Sequence, residues 1–73
     1  MKKSKYPNIL AELSRNGLTI GELADYLGQT RQNVYKKLNG QITINLKDMQ
    51  KIQNFFESYG GTFTLDYLFT ETI

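Results

Sequence analysis

The sequence predicts an all-α protein, a compact bundle of four to five helices in one domain. Apolar residues recur at helical spacings in four stretches, and a Gly or an Asn-Gly pair follows each of them, as at the end of a helix. A proline or a side chain able to cap a helix precedes each stretch. The chain has 73 residues, enough for one hydrophobic core. We therefore expect residues 6–73 to form a single domain, preceded by a flexible basic arm over residues 1–5.

The first and fourth helices carry most of the predicted core. Pro7 suits the first turn of the first helix, and an Asn-Gly pair ends it. Its inward stripe consists of Ile9, Leu10 and Leu13. Asn45 is placed to cap the fourth helix, which has a wider apolar face and ends at a Gly-Gly pair. Its predicted inward residues are Met49, Ile52, Phe55, Phe56 and Tyr59.

Two short helices occupy the middle of the chain, over residues 19–40. Thr19 is placed to cap the first of them, and Glu22, three residues later, can complete a capping box. Gly28 follows the last apolar residue, where a left-handed residue would end the helix. Thr30 is placed to cap the next helix, which runs to about Leu38. These signals predict two helices joined by a tight turn that contains glycine.

The second of these helices has a thin apolar stripe. Only Val34 and Leu38 point clearly inward, so neighbouring elements must keep the helix folded. The polar residues fall together on another face: Arg31, Gln32, Tyr35, Lys36 and Asn39. Such a face is typical of a helix that contacts something polar, such as DNA. The same pattern also arises on the solvated surface of an ordinary helical hairpin.

In this region the sequence resembles the helix-turn-helix family of phage lambda repressor and Cro. The matching features are Ala24 where the two helices cross, Gly28 in the turn, Val34 in the second helix and the terminal Asn39-Gly40. The resemblance is specific over residues 19–40 and extends loosely from residue 7 to residue 69. It implies a lambda-repressor-like arrangement of the bundle.

Three positions depart from the usual pattern of that family. Gln29 and Lys37 stand where the family more often has aliphatic residues, with Leu38 taking over the inward role. Ile20 stands where many members have a Gln that grips a phosphate. These departures concern the detailed docking more than the fold.

The resemblance implies a sequence-specific transcription regulator, a small Cro-like or repressor-like protein of a phage or prophage. The second helix of the motif, here residues 31–38, would enter the major groove of an operator. The residues expected to read bases are Arg31, Gln32, Tyr35 and Lys36. Those expected to contact phosphates are Thr19, Thr30, Lys37, Asn39 and Lys47. A merely solvated position suits Lys47 equally well. Because one helix reads only a few base pairs, we expect a homodimer on double-stranded DNA.

Composition excludes several classes of function. The chain has no Cys and no His, which removes disulfides, thiol chemistry and the usual ligands of structural zinc. No nucleophile–base pair, metal cluster or phosphate-cradling loop is visible, so we expect neither an enzyme nor a bound cofactor or metal. No stretch approaches the roughly 20 apolar residues that span a bilayer. We expect a cytoplasmic protein without membrane partners.

Charge is distributed unevenly along the chain. All nine Lys and Arg lie at or before Lys51, together with four acidic residues, which gives that part a net charge of +5. The remaining residues contain three acidic groups and no base, a net charge of −3. A basic body with an acidic tail is suited to facing a polyanion on one side. The same asymmetry also occurs by chance in small domains.

The last stretch, residues 62–70, admits two interpretations. Phe63, Leu65, Tyr67 and Phe69 alternate as in a strand, whereas Leu65, Leu68 and Phe69 share one face of a short helix. The family resemblance favours a fifth short helix.

An apolar surface without basic residues is expected at the C-terminal end. Tyr67, Leu68 and Ile73 would form it, for self-association or for docking to another phage regulator. This leaves an alternative function, a protein-interaction module that modulates a partner phage repressor. The aromatic residues Tyr35 and Tyr67 suit such an interface, because Tyr is favoured at protein contacts.

Overall fold

The computed structural model describes residues 5–71, and this part of the chain is all-helical. The five helices are α1 (Pro7–Arg15), α2 (Ile20–Leu27), α3 (Arg31–Leu38), α4 (Leu46–Glu57) and α5 (Leu65–Leu68). No strand occurs between residues 5 and 71, so the predicted all-α class is confirmed. None of the helices in that range has the length and apolar character that crossing a bilayer requires.

One hydrophobic core lies between the helices. α4 packs against α2 and α5, α1 packs against α5, and α2 packs against α3. Phe55 and Phe56 of α4 are among the largest fully buried side chains, and their rings meet edge to face with centroids 5.6 Å apart. The other buried apolar residues are Tyr6, Ile9, Leu13, Leu23, Ala24, Leu27, Val34, Leu38, Ile44, Ile52 and Leu68.

The predicted helix starts are confirmed. The Thr19 hydroxyl accepts the backbone N–H of Glu22 at 3.1 Å, and the Glu22 carboxylate accepts the backbone N–H of Thr19 at 3.1 Å, a complete capping box. Thr30 and Asn45 cap α3 and α4 through the N–H groups of Asn33 and Asp48. Each of these signals needs only residues three positions apart, which is why the sequence alone predicts them.

Gly28 ends α2 with φ +70°, as predicted for a left-handed residue. A Cβ at this position would meet nothing within 4 Å, so an alanine would suffer only the backbone strain of its conformation. We expect Gly28→Ala to lower the free energy of unfolding by about 1 kcal/mol. Gly21→Ala is the matched control, since Gly21 lies inside α2 without a positive φ and should be neutral or stabilising. Equal effects in urea unfolding would show that the turn doesn't require glycine.

The C-terminal stretch forms a single helical turn, α5. The Thr64 hydroxyl caps it by accepting the N–H of Tyr67 at 3.1 Å, and the predicted fifth helix is confirmed. Leu68 is fully buried in the core, so its predicted place in a partner interface is wrong. α5 packs on α1 and α4, which places Leu68 in the core, whereas Leu65 and Phe69 beside it are half-buried. Ile73 lies outside the described residues.

Tyr59 isn't one of the inward residues of α4, contrary to the prediction. Its side chain is 53% exposed, and its ring packs edge to face on Phe55 with centroids 5.2 Å apart. The cause is the length of α4, which ends at Glu57, so the helical spacing that predicted an inward Tyr59 no longer applies.

A buried carboxylate joins α1 to α5. Glu12 is only 2% exposed, and its Oε2 accepts hydrogen bonds from the Tyr67 hydroxyl at 2.6 Å and from Arg15 Nη1 at 2.5 Å. The amide of Asn8 adds a bond to the Tyr67 carbonyl at 2.8 Å. Tyr67 was predicted to be a partner contact, but its hydroxyl is engaged within the domain. The hydrogen bond to Glu12 raises the pKa of Tyr67, with smaller contributions from burial and from the charge of Glu12.

We expect Tyr67→Phe to lower the melting temperature and to flatten the loss of stability at alkaline pH. Because the folded state raises the pKa of Tyr67, the protonated hydroxyl is favoured by folding. This stability is complete below the unfolded-state pKa of about 10 and is lost as pH rises through the folded-state value. Denaturant unfolding at neutral and alkaline pH measures it. The same alkaline slope in parent and variant would contradict the assignment.

Lys5 belongs to the folded domain and not to a flexible arm. Its backbone N–H donates to the Leu38 carbonyl at 2.8 Å, and its ammonium lies 3.8 Å from the Glu71 carboxylate. Its side chain also covers Gly40, where an added Cβ would stand 3.0 Å from Lys5 Cδ. The predicted boundary after residue 5 is therefore wrong by at least one residue. Residues 1–4 of the predicted arm lie outside the described residues.

Candidate nucleic-acid interface

α2 and α3 form the two helices predicted for residues 19–40. Ala24 of α2 and Val34 and Leu38 of α3 are all buried, so α3 rests on the core along one narrow stripe. The turn between the helices contains the left-handed Gly28 and ends at the capping residue Thr30. α3 therefore leaves its remaining faces outside the core.

The four predicted base-reading residues share one exposed face of α3. Arg31, Gln32, Tyr35 and Lys36 are each exposed, and the Tyr35 side chain is 50% accessible. Their spacing confines them to an arc of roughly 140° when successive residues are rotated by about 100°. The structure thus brings all four together in the arrangement that the sequence predicts.

An open cleft separates this face from the start of α2. Arg31 and Tyr35 line it on one side, and Gly21, Glu22 and Asp25 line it on the other. Arg31 lies against α2, since a Cβ on Gly21 would stand 3.4 Å from its Nε, an ordinary van der Waals contact. The exposed face is basic along α3 and acidic along the edge of α2.

Thr19 isn't available for the phosphate contact predicted for it. Its N–H donates to the Glu22 carboxylate, and its hydroxyl accepts from the Glu22 N–H and lies 3.2 Å from the same carboxylate. The capping carboxylate also places a negative charge at the N-terminus of α2, where a phosphate would otherwise be favoured. The capping signal and the phosphate prediction were therefore in conflict at this position.

Lys37 is the clearest correction among the predicted phosphate contacts. Its ammonium lies 2.5 Å from Asp48 Oδ2 and donates to Gln29 Oε1 at 2.9 Å. The side chains of Lys37 and Asp48 are only 13% and 8% exposed. The lysine neutralises an otherwise unpaired buried carboxylate, so it faces α4 and not a ligand.

The other predicted phosphate contacts remain at the surface. Thr30 is exposed at the start of α3, Asn39 is half-buried at its end, and Lys47 is exposed in the first turn of α4. The Thr30 hydroxyl accepts the N–H of Asn33, a bond that does not use its own proton.

Sequence reasoning missed a polar network behind α3. It consists of Gln29, Asn33, Lys37 and Asp48. The one signal available was that Gln29 and Lys37 both depart from the aliphatic pattern of the family. Two polar residues at inward positions indicate a shared polar partner, and that partner is Asp48.

No protein-family model, curated protein or solved structure matches this chain.

Proposed function

We propose that this protein is a sequence-specific DNA-binding transcription regulator of the helix-turn-helix class, with α3 as the reading helix. One observation carries the proposal: Arg31, Gln32, Tyr35 and Lys36 lie exposed on a single face of a helix whose apolar stripe is buried. All four side chains are types that bind base edges or phosphates.

The groove dimensions suit this helix. The major groove of B-DNA is about 12 Å wide and admits one α-helix, whose first residues approach the base edges. Arg31 and Gln32 occupy the first turn of α3, so Arg31 would donate two hydrogen bonds to a guanine and Gln32 would pair with an adenine. Tyr35 and Lys36 follow one turn later, where they would contact a thymine methyl group and a base or phosphate.

The backbone contacts proposed for the duplex come from the edges of α3 and from α4. Thr30 and Asn39 lie at the two ends of α3, and Lys47 lies in the exposed first turn of α4. The chain up to Lys51 has a net charge of +5, which favours association with a polyanion. We propose a homodimer on two half-sites about one helical turn apart, as a small cytoplasmic repressor of phage or prophage type.

Alanine substitution at the first turn of α3 tests the proposal. On a site selected from random DNA, Arg31→Ala and Gln32→Ala should each weaken binding by about 1–3 kcal/mol, with much smaller losses on unrelated DNA. Gln50→Ala, which removes an exposed glutamine of α4, is the matched control and should change neither affinity. Equal losses on both kinds of DNA would show that the two residues contact the phosphate backbone of the DNA and not its base edges. Unchanged binding would remove α3 from the interface.

Exposed tyrosines favour a second candidate function, a module that binds and modulates another phage repressor. Tyr26, Tyr35 and Tyr59 are 47%, 50% and 53% exposed, and Tyr is favoured at protein interfaces. Binding to DNA from beside its own gene, with and without the neighbouring regulator, separates the two functions. A module of this kind would change the regulator's DNA binding without binding the fragment alone.

A further inference from the structure

The inner side of α3 is held in two different ways. Val34 and Leu38 stand one turn apart and pack into the core along a line. Asn33 and Lys37 also stand one turn apart, at an angle of roughly 100° from that line, and face the polar network instead. The exposed face with Arg31, Gln32, Tyr35 and Lys36 occupies the remaining arc. Two separate rows thus support α3 from behind.

The polar network has a closed set of hydrogen bonds. Gln29 Oε1 accepts from Asn33 Nδ2 at 3.0 Å and from Lys37 Nζ at 2.9 Å, and Gln29 Nε2 donates to Asp48 Oδ1 at 3.2 Å. Lys37 closes the circuit on Asp48 Oδ2. Between residues 5 and 71 no buried side-chain nitrogen or oxygen lacks a partner. A network of several hydrogen bonds specifies one geometry, because hydrogen bonds are directional.

The network connects α3 to the first turn of α4, which is itself firmly held. Asp48 lies in the first turn of α4, and its own N–H is fixed by the capping side chain of Asn45 at 2.8 Å. The same helix carries Phe55 and Phe56 in the centre of the core. A single row of apolar contacts would allow α3 to roll about its axis, whereas a second, directional row from α4 prevents it.

We propose that Gln29, Asn33, Lys37 and Asp48 are positioning residues that set the roll of α3, and through it the choice among DNA sequences. The inference rests on the proposed DNA-binding function. None of the four contacts DNA in this scheme. A rotation of α3 would move Arg31 and Gln32 off the base edges while leaving the surface basic, so discrimination between sequences would fall and non-specific affinity would not.

The test replaces the network by apolar groups of similar size, in the triple variant Gln29→Leu, Lys37→Met, Asp48→Leu. The substitution leaves no buried unpaired charge and keeps the net charge, so a similar melting temperature is expected. Affinity for the selected site should fall at least tenfold, and affinity for unrelated DNA should stay within twofold. Gln29→Met alone keeps the ion pair between Lys37 and Asp48. It should give an intermediate loss of affinity for the selected site, and it keeps the test decisive if the triple variant fails to fold. Lys47→Met, which removes an exposed cation, is the control and should lower both affinities together.

A second measurement needs no DNA. Residual dipolar couplings of the backbone amides report how α3 is oriented relative to α4, and the network variants should change or average them for α3 only. The positioning role would be overturned by unchanged couplings. It would also be overturned by a folded variant with the parent's ratio of affinity for the selected site to affinity for unrelated DNA. If the parent fails to discriminate between DNA sequences, the proposed function fails, while the couplings still decide whether the network orients α3.

Discussion

Phe55→Ala should lower the free energy of unfolding by about 3–5 kcal/mol, the usual effect of removing a buried aromatic ring. Phe55 is 2% exposed, and its ring touches three others edge to face, with centroids 5.4 Å away in Tyr26, 5.6 Å in Phe56 and 5.2 Å in Tyr59. A domain of this size is stable by roughly 4–11 kcal/mol in all. The variant should therefore populate the unfolded state substantially at room temperature, as circular dichroism in a urea titration would measure.

Tyr59→Ala is the matched control, because the same periodic pattern predicts both side chains to be inward. The structure leaves Tyr59 53% exposed, with its ring in edge contact with Phe55. Its removal should lower stability by no more than about 1 kcal/mol, the contribution of one aromatic pair. A loss as large as that of Phe55→Ala would mean that α4 continues past Glu57 and buries the tyrosine.

Lys37→Met should be the second most damaging substitution, with a loss of about 3 kcal/mol in the free energy of unfolding. It removes the cation from Asp48, whose carboxylate would remain buried with only the Gln29 amide and no opposite charge. Removing one member of a buried pair is far worse than removing both, because the remaining charge has lost water without compensation. In a urea titration, Lys37→Met should therefore unfold at a lower urea concentration than the parent.

Two further variants separate charge burial from loss of the lysine itself. Lys47→Met removes an exposed lysine and should stay within about 0.5 kcal/mol of the parent. Adding Asp48→Leu to Lys37→Met removes the unpaired carboxylate and should restore most of the stability. If the single Lys37→Met variant is as stable as the parent, the carboxylate reaches water and the pair isn't buried in solution.

The features that the sequence predicts correctly are local ones. Capping by Thr19, Thr30 and Asn45, and the left-handed Gly28, follow from residues at most four positions apart, and the structure contains each of them. The exposed polar face of α3 follows in the same way from the helical spacing of Arg31, Gln32, Tyr35 and Lys36. Local patterns suffice here because helix geometry alone determines which residues share a face.

The errors arise where a distant segment decides the outcome. Lys37 has the character of a surface cation until Asp48, eleven residues later, is brought beside it. Leu68 sits in a stretch that its alternation alone leaves ambiguous, and the packing of α5 on α1 and α4 decides its burial. Glu12 interrupts an apolar stretch, and nothing near it predicts a bond to Tyr67, 55 positions away. Tertiary contacts override local pattern at each of these positions.

The bond between Tyr67 and Glu12 is one of the contacts that hold α5 against α1. A helix of four residues has no stability of its own, so α5 keeps its shape only while it is docked. When it lifts away, Glu12 loses the tyrosine hydroxyl but keeps Arg15 and gains water, so the carboxylate is never stranded. Opening of α5 would also withdraw the buried Leu68 from the core, so both an apolar contact and the Tyr67 bond oppose it. Amide hydrogen exchange in α5 would then report the free energy of this local opening and not that of global unfolding.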